Sequence, residues 1–259
     1  MDTGIARTLL NFDTISLGEL DSKAAMLERL DNKYILPADA FIPALERFTE
    51  HFEVLEIKGK RAFTYATNYY DDPELRGYYD HHQGRRKRCK VRVREYVDAG
   101  FSYLEVKLKD KRKSTVKKRL RVADTANPLN NQGLAFIEDN YRDIYDADFG
   151  KTLHPVIAMR YERITLVARE GGERMTIDTS LQFQANGTAR KVRPDMFIIE
   201  TKSARGNGIA DKILRSLHLH PTNSCSKYCI GMASTGSVDR HNRFLPALKR
   251  LRLTDPVAA

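Results

Sequence analysis

In the 259-residue chain Glu105-x-Lys107 and Glu200-x-Lys202 each place a glutamate two residues before a lysine within a strand-like segment. Three further segments repeat charged or polar groups at the same spacing. They are Lys90, Arg92 and Arg94 in KVRVREY, Tyr161 and Arg163 in MRYERITLV, and Arg174, Thr176 and Asp178 in ERMTIDTSL. The spacing matters because side chains alternate across a β-strand, so residues i, i+2 and i+4 share one face. Guanidinium and ammonium groups grip phosphate oxygens, and a carboxylate among them can hold a divalent cation that bridges the same oxygens. Repeated on several strands, this is chemistry for a polyanion.

The opposite faces of the same strands are apolar. Tyr103, Glu105, Lys107 and Lys109 alternate with Leu104, Val106 and Leu108, and Ile198, Glu200 and Lys202 alternate with Phe197, Ile199 and Thr201. Arg174, Thr176, Asp178 and Ser180 oppose Met175, Ile177 and Leu181. MRYERITLV is less regular, because Glu162 falls with Ile164 and Leu166. Any one strand of this kind fits an ordinary sheet with a solvated outer face. Five together suggest an inside-out barrel, with charged faces lining a lumen and apolar faces turned out against helices.

The charge distribution supports a localised field. Residues 85–121 hold 16 Lys/Arg against four acids, whereas the chain as a whole nets +10. One segment therefore carries the entire excess, which favours a phosphate or polyanion ligand. Tyr96, Phe101 and Tyr103 are the aromatics interleaved there, too few to indicate base stacking, and no RNP, KH or zinc-finger pattern is present. No DNA partner is expected.

Helices are predicted from Pro37 through PADAFIPALERFTEHF, over 129–145 with Leu134, Ile137, Tyr141 and Ile144 on one stripe, over 208–220, and in NRFLPALKRLRL. The stretch between them reads mostly as strand, giving an α+β chain. No repeat or linker demands a second domain. The boundaries expected are an extension over 1–24, a tunnel domain over 25–235 and a helical tail over 236–259. No apolar run approaches the roughly 20 residues of a spanning helix, and the first residues lack a signal-peptide pattern. With three cysteines forming no disulfide framework, a reducing cytoplasm is expected.

The segments LERLDNKYIL, TNYYDDPEL, KVRVREY, YLEVKLK, MRYERITL, RMTIDT, IIETKS and SCSKYCIG occur in that order. Together they resemble the motif set of the VTC domain, the polyphosphate polymerase domain of the vacuolar transporter chaperone complex. That domain belongs to the triphosphate tunnel metalloenzymes, related to CYTH-type phosphatases and adenylyl cyclases. The resemblance implies a tunnel of about eight antiparallel strands, open at both ends, in which ATP binds with Mn²⁺ or Mg²⁺. It also implies transfer of the γ-phosphate to a growing inorganic polyphosphate chain. By the same resemblance Lys33, Arg92, Arg94, Arg163, Arg174 and Lys227 would act on the reacting phosphates. Lys90, Lys107, Lys109, Tyr161, Lys202 and Ser226 would bind substrate, and Glu200, Glu105 and Asp178 would hold metal.

Two departures qualify the resemblance. Hydrolytic tunnel enzymes begin with E-x-E-x-K on the first strand, and here that register reads Arg29-x-Asp31-x-Lys33, which favours the polymerase branch. Eukaryotic VTC proteins also carry an SPX sensor domain and a membrane segment. Sensing or export would here need a separate membrane partner. A triphosphate hydrolase on the same fold and a non-catalytic polyanion-binding module stay open as alternatives. His81-His82 read as surface-loop residues, Cys225 and Cys229 as small buried groups, SARGNG as a turn and Tyr69-Tyr70-Asp71-Asp72-Pro73 as a strand end.

Overall fold

The computed structural model describes residues 3–23, 30–109 and 115–254. The N-terminal third runs α1 (Thr3–Leu9), β1 (Thr14–Ile15), α2 (Leu17–Lys23), β2 (Leu30–Pro37), α3 (Ala38–Phe48), β3 (Phe52–Leu55) and β4 (Ala62–Asp71). Next come α4 (Arg76–Gln83), β5 (Arg88–Tyr96), β6 (Phe101–Lys109), β7 (Thr115–Val122), α5 (Asn131–Tyr145) and β8 (His154–Ala168). The chain continues through β9 (Arg174–Ala185), β10 (Thr188–Val192), β11 (Met196–Ser203), α6 (Ile209–Ser216), α7 (Lys227–Ser234), α8 (Leu245–Leu251) and β12 (Leu253–Thr254).

Eight of these strands form one antiparallel path, β2-β11-β9-β8-β4-β5-β6-β7. The sheet is not closed: among the described residues no ladder joins β2 to β7. No helix among the described residues is long and apolar enough to cross a membrane.

The alternation read from the sequence determines which face is covered. Val91, Val93, Leu104, Val106 and Leu108 pack against Ile137 and Tyr145 of α5. Met175, Ile177, Phe197 and Ile199 pack against Phe41, Leu45 and Phe48 of α3 and Leu214 of α6. Each such buried side chain contributes about 1.5–3 kcal/mol. The helix-covered outer face therefore supplies much of the folding energy and leaves the inner face free to carry charge.

The inner face is apolar at one end. Ile35, Ile157, Met159, Leu181, Phe183 and Ile198 bury Tyr228, Cys229, Ile230 and Met232 of α7 there. Gly231 permits this approach, since a Cβ would come within 2.5 Å of Ile157 and 2.6 Å of Phe183. The resemblance implies a tunnel open at both ends, and α7 packs into this one. Near the opposite end Leu20 of α2 packs with Ile15, Leu55 and Val167.

Several local expectations need correction. Leu181 does not share the outer face with Met175 and Ile177. A register shift between Arg160 and Glu162 places Tyr161 opposite the extra residue at Ser180, whose φ is +55°, and this bulge turns Leu181 inward. In α5, started by the Asn130 side chain accepting from Gly133 N at 3.0 Å, Leu134 is exposed rather than on the buried stripe. His81 and His82 lie in α4, not in a loop, and the helix expected over 208–220 ends at Ser216. The first-strand Arg29 lies outside the described residues.

Candidate functional site

Glu200, Glu105 and Asp178 stand on the inner face, each enclosed by cations. On β11, Glu200 Oε1 lies 2.9 Å from Lys202 Nζ and 3.4 Å from Lys33 Nζ of β2. On β6, Glu105 receives Arg92 Nε at 2.6 Å, with Arg94 at 3.9 Å and Lys117 of β7 in direct contact. On β9, Asp178 takes both arms of a fork from Arg163, Nε at 2.6 Å and Nη2 at 2.8 Å, and is also paired with Lys227. Strand register explains the grouping, because Lys33 faces Glu200, Arg92 faces Glu105 and Arg163 faces Asp178 across adjacent strands.

The remaining cations line the same wall. Lys90 faces Lys107, which faces Lys117, and Arg88 faces Lys109. Arg174 faces Lys202 at the other end. Lys90 Nζ donates to Ser226 Oγ at 3.0 Å, and Ser226 caps α7, so the helix start and the lumen share one contact. Arg92 also donates to Tyr69 Oη at 2.7 Å. Tyr161 sits beneath Arg163 and Lys227, each 5.4 Å from its ring centre. Its buried hydroxyl has no hydrogen-bond partner among the described residues, and neither do the inward Thr67 and Thr176 hydroxyls.

Protonation follows from this crowding. Burial alone would raise the Glu200 carboxyl, but the ammoniums of Lys202 and Lys33 hold it well below the usual carboxylate range. Glu105 is likewise held down, against burial, by Arg92, Arg94 and Lys117, and Asp178 is held at about 2 by Arg163 and Lys227. Burial lowers the Lys202 and Lys117 ammoniums to about 8 despite their carboxylate partners, and burial also lowers Lys107. Lysines crowded in this way are short of counter-charge.

Asp31 behaves differently. Burial and the neighbouring Glu200 push its carboxyl up. Two adjacent carboxylates on one wall are the donor set that fits a hard divalent cation, whose shell phosphate and water oxygens would complete. Among the described residues no three metal-ligating side chains converge. Glu105 and Asp178, expected beside Glu200 as metal ligands, are paired with guanidinium and ammonium groups, as Glu200 is with Lys202 and Lys33. A metal at any of the three would share the carboxylate with those cations or displace them, and among the described residues Glu200 alone has a second carboxylate, Asp31, beside it.

Sequence reading left Asp31 and Lys117 out of the site. Asp31 was legible through its i, i+2 spacing to Lys33, and Lys117 through its place in the basic run. Asp71 needed the structure. It accepts from Gly77 N at 2.9 Å, Tyr78 N at 3.0 Å and Tyr228 Oη at 2.5 Å, tying α4 and α7 to the end of β4. Behind the wall, Asp211 accepts from Tyr34 Oη and Thr201 Oγ1, both at 2.7 Å, which fixes α6 to β2 and β11.

An antiparallel wall with charged residues inside and helices outside is the fold of the CYTH-like tunnel proteins. More narrowly, the chain belongs to the VTC domain family, whose model matches residues 28–235. A Bacillus halodurans protein provisionally assigned as an adenylate cyclase shares the fold at 10% identity and TM-score 0.51, covering 77% of this chain and 95% of its own. HpAC1 from Hippeastrum, provisionally an adenylyl cyclase and described as having a dominant triphosphatase activity, shares it at 15% identity and TM-score 0.51. That match covers 84% of this chain and 100% of the other. No curated protein matches the sequence.

Proposed function

We propose that the protein is an ATP-dependent polyphosphate polymerase. The observation that carries this reading is the continuous row of inward cations, from Arg174 and Lys202 through Arg163, Arg94 and Arg92 to Lys90 and Lys107. Even after the carboxylates are neutralised, it leaves positive charge along the length of the wall.

In this reading an ionised terminal phosphate oxygen of the chain attacks the γ-phosphorus of ATP. The new P–O bond forms as the bond to the β,γ-bridging oxygen breaks, and ADP leaves with the electron pair. Such a transfer asks mainly for alignment and for charge on the equatorial oxygens. Arg92, Arg94 and Arg163 supply planar forks that stay charged, and Lys33, Lys107 and Lys227 supply point charges. Arg174, Lys90, Lys109, Lys202 and Ser226 extend the grip to flanking phosphates. Bound Mn²⁺ or Mg²⁺, held by Glu200 with Asp31, would neutralise phosphate charge. A reducing, cytoplasmic setting with a separate membrane partner belongs to the same proposal and accords with three unpaired cysteines.

Hydrolysis is the second reading, and one observation favours it. The raised Asp31 carboxyl could take a proton from water, a step polymerisation does not need. Incubation with ATP and Mn²⁺ followed by a polyphosphate gel separates the readings. A ladder absent in Glu200→Ala supports the polymerase. Free phosphate without a ladder supports the hydrolase.

A further inference from the structure

The row of residues beyond Arg94, toward the end of the lumen that holds Arg174, is aromatic. Tyr65 faces Tyr96 and Tyr96 faces Phe101 across adjacent strands, while Tyr103 faces Arg94 one layer further in. Tyr96 and Phe101 stack with centroids 4.8 Å apart and planes at 25°. Tyr103 meets both rings edge-on at 6.0 and 5.6 Å. Tyr65 closes the group from β4, 4.9 Å from Tyr96. Residues that are scattered in the basic run of the sequence thus form one shelf.

Two arginines of β7 lie on that shelf. Arg119 sits 4.9 Å from the Tyr103 ring centre and Arg121 5.4 Å from that of Phe101. Both are exposed, and neither is in an ion pair among the described residues. A guanidinium over an aromatic ring has one face covered and presents the other, a planar cationic surface on which a base can stack. The shelf is braced from behind. Asp98, in the turn joining β5 to β6, accepts from Thr64 N at 2.5 Å and pairs with Lys60.

We infer that this shelf takes the base of the nucleoside triphosphate whose phosphates occupy the lumen, through stacking on Arg119 and Arg121. The inference rests on the function proposed above and adds to it the source of nucleotide preference. Register supports the placement. Phe101 lies two residues beyond Tyr103, about 7 Å along the strand. With the phosphates ending at the Arg92 layer, the Arg94 layer leaves room for one ribose, and the base meets Arg121 over Phe101 with Arg119 at its edge. Charge alone cannot produce this preference, because a base adds none.

The test compares ATP with ribose 5′-triphosphate, which has the same phosphates and no base. Titration calorimetry on the wild-type protein, Arg121→Lys and Arg119→Lys reads the ratio of the two affinities. Lysine keeps the charge and removes the plane. Wild type should bind ATP about tenfold more tightly, and each lysine variant should lose most of that ratio. A fluorescent purine triphosphate should be quenched by wild type and less so by the variants. Equal binding of the two ligands by wild type would overturn the shelf while leaving the lumen intact. A ratio unchanged in both variants would overturn it as well. Failure of both ligands to bind would overturn the shelf and the proposed function together.

Discussion

Lys227, the first residue of α7, pairs with Asp178, the carboxylate whose two oxygens the Arg163 fork already holds. The helix that packs into one end of the lumen is therefore anchored through a residue of the charged wall. Lys227 also completes a buried charge set that nets positive, one carboxylate between two cations. Such a set costs desolvation unless an anion joins it.

Replacing Asp178 with alanine should expose that cost. Arg163 and Lys227 would be left buried and facing each other, a loss of about 3–5 kcal/mol when one partner of a buried pair is removed. Urea denaturation would read it as a lower midpoint, and inorganic tripolyphosphate should restore more stability to the variant than it adds to wild type. An unchanged midpoint would show that the pair is not buried as described.

Metal binding should separate Glu200 and Asp31 from Glu105. Mn²⁺ affinity, followed by its electron paramagnetic resonance signal in the presence of tripolyphosphate, should fall in Glu200→Gln and Asp31→Asn. It should be retained in Glu105→Gln, whose carboxylate is occupied by Arg92 and Lys117. Loss in Glu105→Gln alone would move the metal to β6.

Triphosphate affinity should weaken as pH rises through about 8. Burial brings Lys117 and Lys202 to about 8, below the ordinary lysine value of about 10.5, so the free protein loses their charges as pH rises through about 8. An anion favours the protonated form, so binding must take up protons in that window. Calorimetry in buffers of different ionisation heat would measure the uptake. Lys117→Arg should reduce it, because arginine stays charged, and equal uptake in that variant would remove Lys117 from the account.

The sequence made the wall legible because period-two alternation is a local property. Lys90, Arg92 and Arg94 on one face and Val91 and Val93 on the other follow from strand geometry alone, and the structure keeps them there. Which cation meets which carboxylate depends on register between strands far apart in the chain. The guanidinium contacts on Glu105 and Asp178 were therefore not readable. Nor was the gathering of Tyr65 with Tyr96 and Phe101, contributed by three strands. Helix α7 was missed because its residues are nearly all buried, and a segment apolar on every side has no amphipathic period to detect.

Ser180 shows how a single residue can invert a face. Its left-handed backbone, at φ +55°, lets Asp178 and Leu181 both point inward, and its hydroxyl donates outward to Glu162 Oε2 at 3.0 Å. Without the bulge, Leu181 and Phe183 would leave the core that seats α7. A β-branched residue resists positive φ, so Ser180→Val should cost about 1–3 kcal/mol. Ser180→Gly keeps the backbone conformation and should lose little beyond the hydrogen bond. Denaturation midpoints should rank wild type and glycine together, well above valine. Tripolyphosphate affinity should fall only in valine, since a displaced α7 carries Lys227 away from Asp178. Equal stability for valine and glycine would mean that the bulge does not determine the facing of β9.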